Sequence, residues 1–396
     1  MDASKLTQYL DSLQDTYGMP MGDLKVMRHH REIYRHTFGH ADLSRQVPLR
    51  EDHLFRLYSA TKLITMTAML QLIERGQCRL NDRLSDYIPE YANVRVLDGL
   101  DLFSYYENGW VIPDGMTTHP VKNPIRILDL MTMTAGLSYD TLDPNILRAA
   151  KEGGDGADTQ TIIRALAKTP LLFEPGTHWN YSLAHDVLGA VVEKITGMRF
   201  SQYLQENIFE PLGIRDFYFR WEDDAKVAER ICDIYMASFD APPFVEAPDS
   251  ERDTYCFTKN YESGGAGLIA SVDAYSIFAD ALSCGGEGAN GQRILKPETV
   301  ALFRKPYTTQ GEIRCDFGRM NRTGYEYGLG VRVLVDDRVS GSPAGEFGWD
   351  GAAGAYVLID TDHELSVFYA EHVLGFSDNY HVIHPKIRDL VYETLL

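Results

Sequence analysis

Strands at both ends of the chain around a helical middle predict an α+β protein. Three observations carry that reading. Residues 24–28 and 33–38 alternate like two strands around a polar turn, a hairpin signal. Residues 125–209 are dominated by helical periodicity. Alternation then returns over 327–335, 355–360 and 364–372, ahead of a closing helix at 383–395. Both termini therefore build one mixed lobe (residues 1–75 and 260–396), and residues 76–259 form a mainly helical lobe inserted into it. A chain of 396 residues is long enough for two such lobes.

In order, Leu6, Leu10, Leu13 and Tyr17 fall on one face of an opening amphipathic helix. The hairpin follows, with His29-His30 at its turn. Adjacent residues there face opposite ways, so the pair reads as strand or turn histidines rather than a metal tract. Residues 63–73 read as a helix, with Leu63, Ile64, Met66, Met69, Leu70 and Ile73 at helical spacing and Arg75-Gly76 as its stop. Residues 80–91 read as loop and short turn, and 94–124 as an irregular insertion whose aromatics include Tyr105, Tyr106 and Trp110. Helices are expected over 125–133, 159–168, 187–196 and 200–208, with a Gly/Asp loop at 151–158. The glycine-rich run 263–270 reads as a strand of close backbone approach, since its glycines fit no nucleotide-binding pattern. Ser271 caps the helix that follows, to Cys284.

Composition excludes several classes. At 44% hydrophobic residues the chain can bury a sizeable core. A formal charge of -19 argues against nucleic acid and anionic membrane surfaces as partners. No apolar run approaches spanning length, and the N-terminal residues lack the pattern of a signal peptide. Five scattered cysteines form no C-x-x-C, which argues against a disulfide framework or zinc cluster and fits a reducing, cytoplasmic setting. Oligomeric state is not legible.

The stretch that carries chemistry is Ser59-Ala60-Thr61-Lys62, at the front of the 63–73 helix. Residues three apart on a helix are surface neighbours, so the Lys62 amine can reach the Ser59 hydroxyl. A serine needs a base to become a nucleophile, and a buried lysine with a lowered pKa can serve. The helix N-terminus favours a developing anion. The tetrad alone is common, and its company gives it weight. Tyr181 lies on a short loop between the Pro175-Gly176 turn and the 187–196 helix, a place to fix a phenol. Phe347-Gly348-Trp349-Asp350-Gly351-Ala352 precedes a strand, where free N–H groups can stabilise an oxyanion.

In this order, Ser59-Ala60-Thr61-Lys62, Tyr181-Ser182-Leu183 and Trp349-Asp350-Gly351 resemble the motif set of the serine β-lactamase-like superfamily. The likeness is to its branch of class C β-lactamases, DD-peptidases and family VIII carboxylesterases. Residues 130–137, 173–176 and 264–268 add supporting stretches, so the resemblance covers most of the chain. It implies a β-lactamase/transpeptidase-like fold, an antiparallel sheet flanked by helices with an inserted helical lobe, and a site between the two. Two departures matter. Leu183 stands where the lactamase pattern has Asn, and Trp349 where it has a Lys for the substrate carboxylate. Leu offers no hydrogen bond and Trp one N–H without charge. Both departures resemble the esterases of the group, while the Gly-x-Ser-x-Gly esterase signature does not occur.

The expectation is a serine hydrolase that cleaves esters through an acyl-enzyme on Ser59. Lys62 and Tyr181 share the proton work, with the base at each step left open. The N–H groups of Ser59 and Ala352 form the oxyanion hole, and Leu183, Trp349, Asp350 and Gly351 contact a small-molecule substrate. No metal or organic cofactor is required. Arg319, Arg322 and His372 are candidates to bind a substrate carboxylate in place of the missing lysine. Two alternatives stand beside this reading: an amidase of β-lactamase or D-amino-acid peptidase type, and a catalytically silent binding protein.

Overall fold

The computed structural model describes residues 2–108, 110, 112–220, 224–238 and 244–396. Parts of the stretches 94–124 and 220–258 lie outside the described residues.

The organising element is an eight-stranded antiparallel sheet. Its order is Tyr325–Tyr327, Arg332–Leu334, Phe347–Gly348, Tyr356–Asp360, Leu365–Ala370, Met21–Arg28, Arg31–Asp42, Val47–Pro48. The two halves of the chain meet in its middle, where Val26 faces Val367 and Leu24 faces Tyr369. The hairpin turns on His29 and His30, whose φ of 49° and 60° give the twist a two-residue hairpin needs. Tyr356–Asp360 and Leu365–Ala370 are buried throughout, because helices cover both faces. Phe368 stacks on Tyr275 of the helix Val272–Ser283, at 4.2 Å between ring centres. Its neighbour Tyr369, pointing the other way, lies 6.2 Å from His384 of the closing helix His384–Leu395. The opening helix Ser4–Tyr17 buries Leu6, Leu10 and Leu13 and stops at Gly18.

The helix Thr61–Glu74 is buried on all sides from Thr61 to Leu72 and packs against Ala184–Thr196. A helix apolar all round belongs in the middle of a core, and this one holds Lys62 there. Ser271 caps Val272–Ser283 by accepting from the Ala274 N–H.

Several elements differ from the sequence reading. The 327–335 stretch is two strands, because the chain reverses at Gly328–Gly330, where Gly330 has φ 71°. Of 263–270 only Ile269–Ser271 is strand; the glycines form a turn closed by Gly267 N–H to Ser263 O at 3.0 Å. The 94–124 insertion is ordered around a paired strand, Arg95–Leu97 with Thr118–Pro120, and a helix Leu102–Glu107 capped by Asp101. A helix Pro144–Gly153, capped by Asp143, runs into the stretch read as a Gly/Asp loop. The 200–208 helix widens into a π-turn at Gln205–Phe209. Among the described residues no cysteine forms a disulfide, and no described helix is long and apolar enough to cross a membrane.

Candidate active site

Ser59 is fixed from both directions. Upstream, Leu54–Arg56 pairs with Ile269–Ser271, and Leu57 N–H donates to Leu268 O at 2.9 Å. Downstream, the chain enters the buried helix Thr61–Glu74. Between them Tyr58 adopts φ 44°, a left-handed conformation that costs a non-glycine residue free energy and persists only where the surroundings enforce it. They do: the Tyr58 hydroxyl donates to Arg252 O at 2.8 Å, and its side chain lies in one apolar cluster with Ile234, Ala247 and Ala353.

Two proton-carrying groups converge on the hydroxyl. Lys62 Nζ lies 3.0 Å from Ser59 Oγ, and the Tyr181 hydroxyl donates to the same oxygen at 2.7 Å. Lys62 is wholly buried and donates also to Gly265 O at 2.8 Å. That carbonyl is presented by the glycine turn, where a Cβ on Gly265 would lie 2.4 Å from Asp186 Oδ2. Burial drives the Lys62 pKa down to about 8, against the pull of Asp186 and Tyr255. Asp186 is itself held by Tyr261 and Ser263 hydroxyls, each at 2.6 Å.

Tyr181 is held by its loop and by its ring. Asn180 N–H donates to Met133 O at 2.9 Å, and the Asn180 side chain to Leu137 O at 2.7 Å. The Trp349 indole stacks on the phenol with 5.7 Å between ring centres and donates Nε1–H to its oxygen at 3.0 Å. Burial pushes the Tyr181 pKa upward, outweighing the bonds from Ser59 and Trp349, so the phenol is protonated at neutral pH.

The turn after Trp349 closes the site. A Cβ on Gly351 would sit 2.4 Å from Leu57 O, so only a glycine lets this turn reach the nucleophile's segment. Among the described residues neither the Ser59 nor the Ala352 N–H has a backbone acceptor. Both are available to an oxyanion.

Two of the expected substrate contacts are enclosed by the protein. Leu183 is 1% exposed and lies in the hydrophobic core just before the helix Ala184–Thr196. Asp350 is buried at 2.6 Å from Arg322 and 3.4 Å from Arg332. Burial opposes its charge, yet the two guanidiniums and His384 hold its carboxyl below the usual range. Its ion pairs anchor the turn. The carboxylate-binding candidates are also engaged: Arg322 by Asp350, Arg319 over the Phe103 and Tyr106 rings, and buried His372 by the Arg56 N–H. Tyr139 and Tyr255, not singled out from the sequence, place further aromatic rings near Tyr181 and Trp110. Tyr139 lies 5.0 Å from Tyr181, 5.7 Å from Tyr255 and 6.0 Å from Trp110, ring centre to ring centre. No spacing rule marks them; their segments meet only in the fold. The grouping of His30, Asp280 and Cys284 shares no residue with this site.

A family model described as Beta-lactamase matches residues 6–388. Esterase EstB of Burkholderia gladioli is 31% identical over 389 residues, covering 93% of this chain and 90% of the esterase. Among solved structures, EstCE1, a hydrolase with promiscuous acyltransferase activity, matches with a TM-score of 0.76 and 26% identity over 98% of each chain. Simvastatin synthase (LovD) from Aspergillus terreus matches with a TM-score of 0.79 and 23% identity, covering 99% of this chain and 98% of that one, a likeness of fold. Motif order, site geometry and a match along nearly the whole sequence agree: the chain belongs to the β-lactamase family.

Proposed function

We propose that this protein is a serine hydrolase that cleaves carboxylic esters of small molecules through an acyl-enzyme on Ser59. The observation that carries the reading is the placement of Ser59 Oγ between Lys62 Nζ and the Tyr181 hydroxyl. With the lysine pKa near 8, part of the enzyme holds a neutral amine at neutral pH. That amine takes the Ser59 proton as Oγ bonds to the carbonyl carbon and the carbonyl electron pair moves onto oxygen. The Ser59 and Ala352 N–H groups receive the oxyanion. Collapse breaks the bond to the alcohol, whose oxygen takes the Tyr181 proton, and Lys62 returns a proton to Tyr181. Water then repeats the sequence on the acyl group. In this reading residues 1–75 and 260–396 supply Ser59, Lys62 and Trp349, and the inserted lobe supplies Tyr181.

The preference for esters over β-lactams rests on Trp349, which offers a substrate carboxylate no cation. A charge-assisted hydrogen bond is worth about 1.5–3 kcal/mol, so its loss weakens penicillin binding roughly ten- to a hundredfold. The test is kcat/KM for a p-nitrophenyl ester against a chromogenic cephalosporin, with a ratio well above one expected. A ratio below one favours the β-lactamase alternative. A second reading, transfer of the acyl group to an alcohol, uses the same acyl-enzyme. It is favoured by the aromatic wall of Trp110, Tyr139 and Tyr255 and by the likeness to EstCE1. Ester product formed from an added alcohol separates it from hydrolysis.

A further inference from the structure

The peptide between Gly351 and Ala352 carries the proposed second oxyanion donor, so whatever fixes that peptide plane fixes the donor. In a trans peptide the C=O and N–H point in opposite directions. Holding the Gly351 oxygen on one side therefore aims the Ala352 N–H to the other. The structure holds that oxygen twice. Gly354 N–H donates to it across the turn at 3.0 Å, and the Tyr380 hydroxyl reaches it at 3.0 Å from outside. The same hydroxyl lies 2.9 Å from the Ala352 oxygen, a shared bond that spans the donor's two flanking carbonyls.

Tyr380 does not act alone. Four residues on, His384 donates Nε2–H to Gly354 O at 3.1 Å, so neighbours on one helical face grip both ends of the turn. The Tyr380 and His384 rings meet edge to face with centres 5.6 Å apart. Tyr380 is in turn set by Arg322, whose guanidinium lies 5.1 Å from its ring centre and donates to its backbone oxygen at 3.2 Å. Arg322 is the partner of Asp350, which directly precedes Gly351. The clasp thus closes on itself around the turn: Asp350, Arg322, Tyr380, Gly351. Among the described residues no side-chain hydrogen bond runs from Arg322, Tyr380 or His384 to Ser59, Lys62 or Tyr181, although the Asp350 charge acts on the Tyr181 phenol.

From this geometry we infer that Tyr380 is a positioning residue for catalysis: its hydroxyl orients the Gly351–Ala352 peptide so that the Ala352 N–H meets the oxyanion. The inference rests on the hydrolase reading for its kinetic consequence, whereas its structural half stands independently. Removing an oxyanion donor outright costs about a hundred- to a thousandfold in kcat. Loosening one while leaving it in place costs less, so Tyr380→Phe lowers kcat about tenfold with KM little changed. The ring and its packing stay.

The experiment measures three things on wild type and Tyr380→Phe. First, kcat and KM for a p-nitrophenyl ester. Second, affinity for a trifluoromethyl ketone, which forms the oxyanion on Ser59, against affinity for the hydrolysis product, which does not. Third, hydrogen exchange in a peptide covering residues 349–355. The expected result is a fall in kcat, a matching loss of ketone affinity with product affinity unchanged, and faster exchange at the Gly354 N–H. Unchanged exchange and unchanged ketone affinity overturn the inference. Equal losses of ketone and product affinity also overturn it, because a general disturbance of the cleft would move both. If the wild type turns over no ester, the hydrolase reading fails, and the exchange result still decides whether Tyr380 holds the turn.

Discussion

The Trp349 indole N–H donates to the Tyr181 phenol oxygen at 3.0 Å while the two rings stack. The residue that replaces a cation in the resembled pattern therefore acts on the proton carrier. A donated hydrogen bond stabilises the phenolate that forms when Tyr181 gives up its proton, and does so without a full charge in the cleft.

Trp349→Phe keeps an aromatic ring and removes the N–H. A neutral hydrogen bond is worth about 0.5–1.5 kcal/mol net, so acylation should slow roughly three- to tenfold. The burst of p-nitrophenol in stopped flow measures this directly. A variant that acylates at the wild-type rate shows the indole to be only packing.

Lys62 sets the pH dependence. In the proposed mechanism its neutral form is the base, so kcat/KM should rise about tenfold per pH unit below 8 and level off above about 8, since this ratio reports the free enzyme. Stability carries the same signature with its own sign. The folded pKa lies below the unfolded value of 10.5, so between about 8 and 10.5 the unfolded chain binds more protons, and stability rises with pH across that window. Below pH 8 the full cost of burying the ammonium is present. Lys62→Met should abolish turnover, and its Tm relative to wild type should fall as pH rises from 7 to 10. A flat difference across that range contradicts the placement of the pKa.

Much of this site is legible in sequence, and the reason is local. Ser59 and Lys62 are three residues apart on one helix, so their contact follows from helical geometry alone. Tyr181 and Trp349 stand in motifs whose order is linear. What the linear pattern does not give is the direction each side chain takes after packing. Leu183 and Asp350 occupy motif positions, yet one enters the core and the other a buried ion pair, because the helix Ala184–Thr196 and residues Arg322 and Arg332 pack there. The same limit explains the 327–335 stretch. Alternation persists through Gly328–Gly330, and only the positive φ of Gly330 marks the reversal.

Gly351→Ala tests the close approach on which the proposed oxyanion hole depends. A Cβ there meets Leu57 O at 2.4 Å, a backbone atom that cannot swing aside. The turn must retreat from Ser59. The expected outcome is a fall in kcat of ten- to a hundredfold or more, on the scale of losing an oxyanion donor. Ser59 should still be labelled by a fluorophosphonate, though more slowly. Full activity in this variant removes Ala352 from the oxyanion hole.

Tyr181→Phe removes the phenol that bonds Ser59 Oγ at 2.7 Å. General acid–base catalysis contributes about a hundred- to ten-thousandfold, and a loss in that range is expected in kcat, with the Tm within a few degrees of wild type. A loss below tenfold assigns the proton delivery to another group.

The acyl-enzyme itself is the direct test. Wild-type protein mixed with a p-nitrophenyl ester and quenched in acid within the burst should gain the mass of one acyl group. Fragmentation should place that mass on Ser59, and Ser59→Ala should show neither adduct nor turnover. An acyl group on any other residue, or ester turnover that survives in Ser59→Ala, contradicts the mechanism.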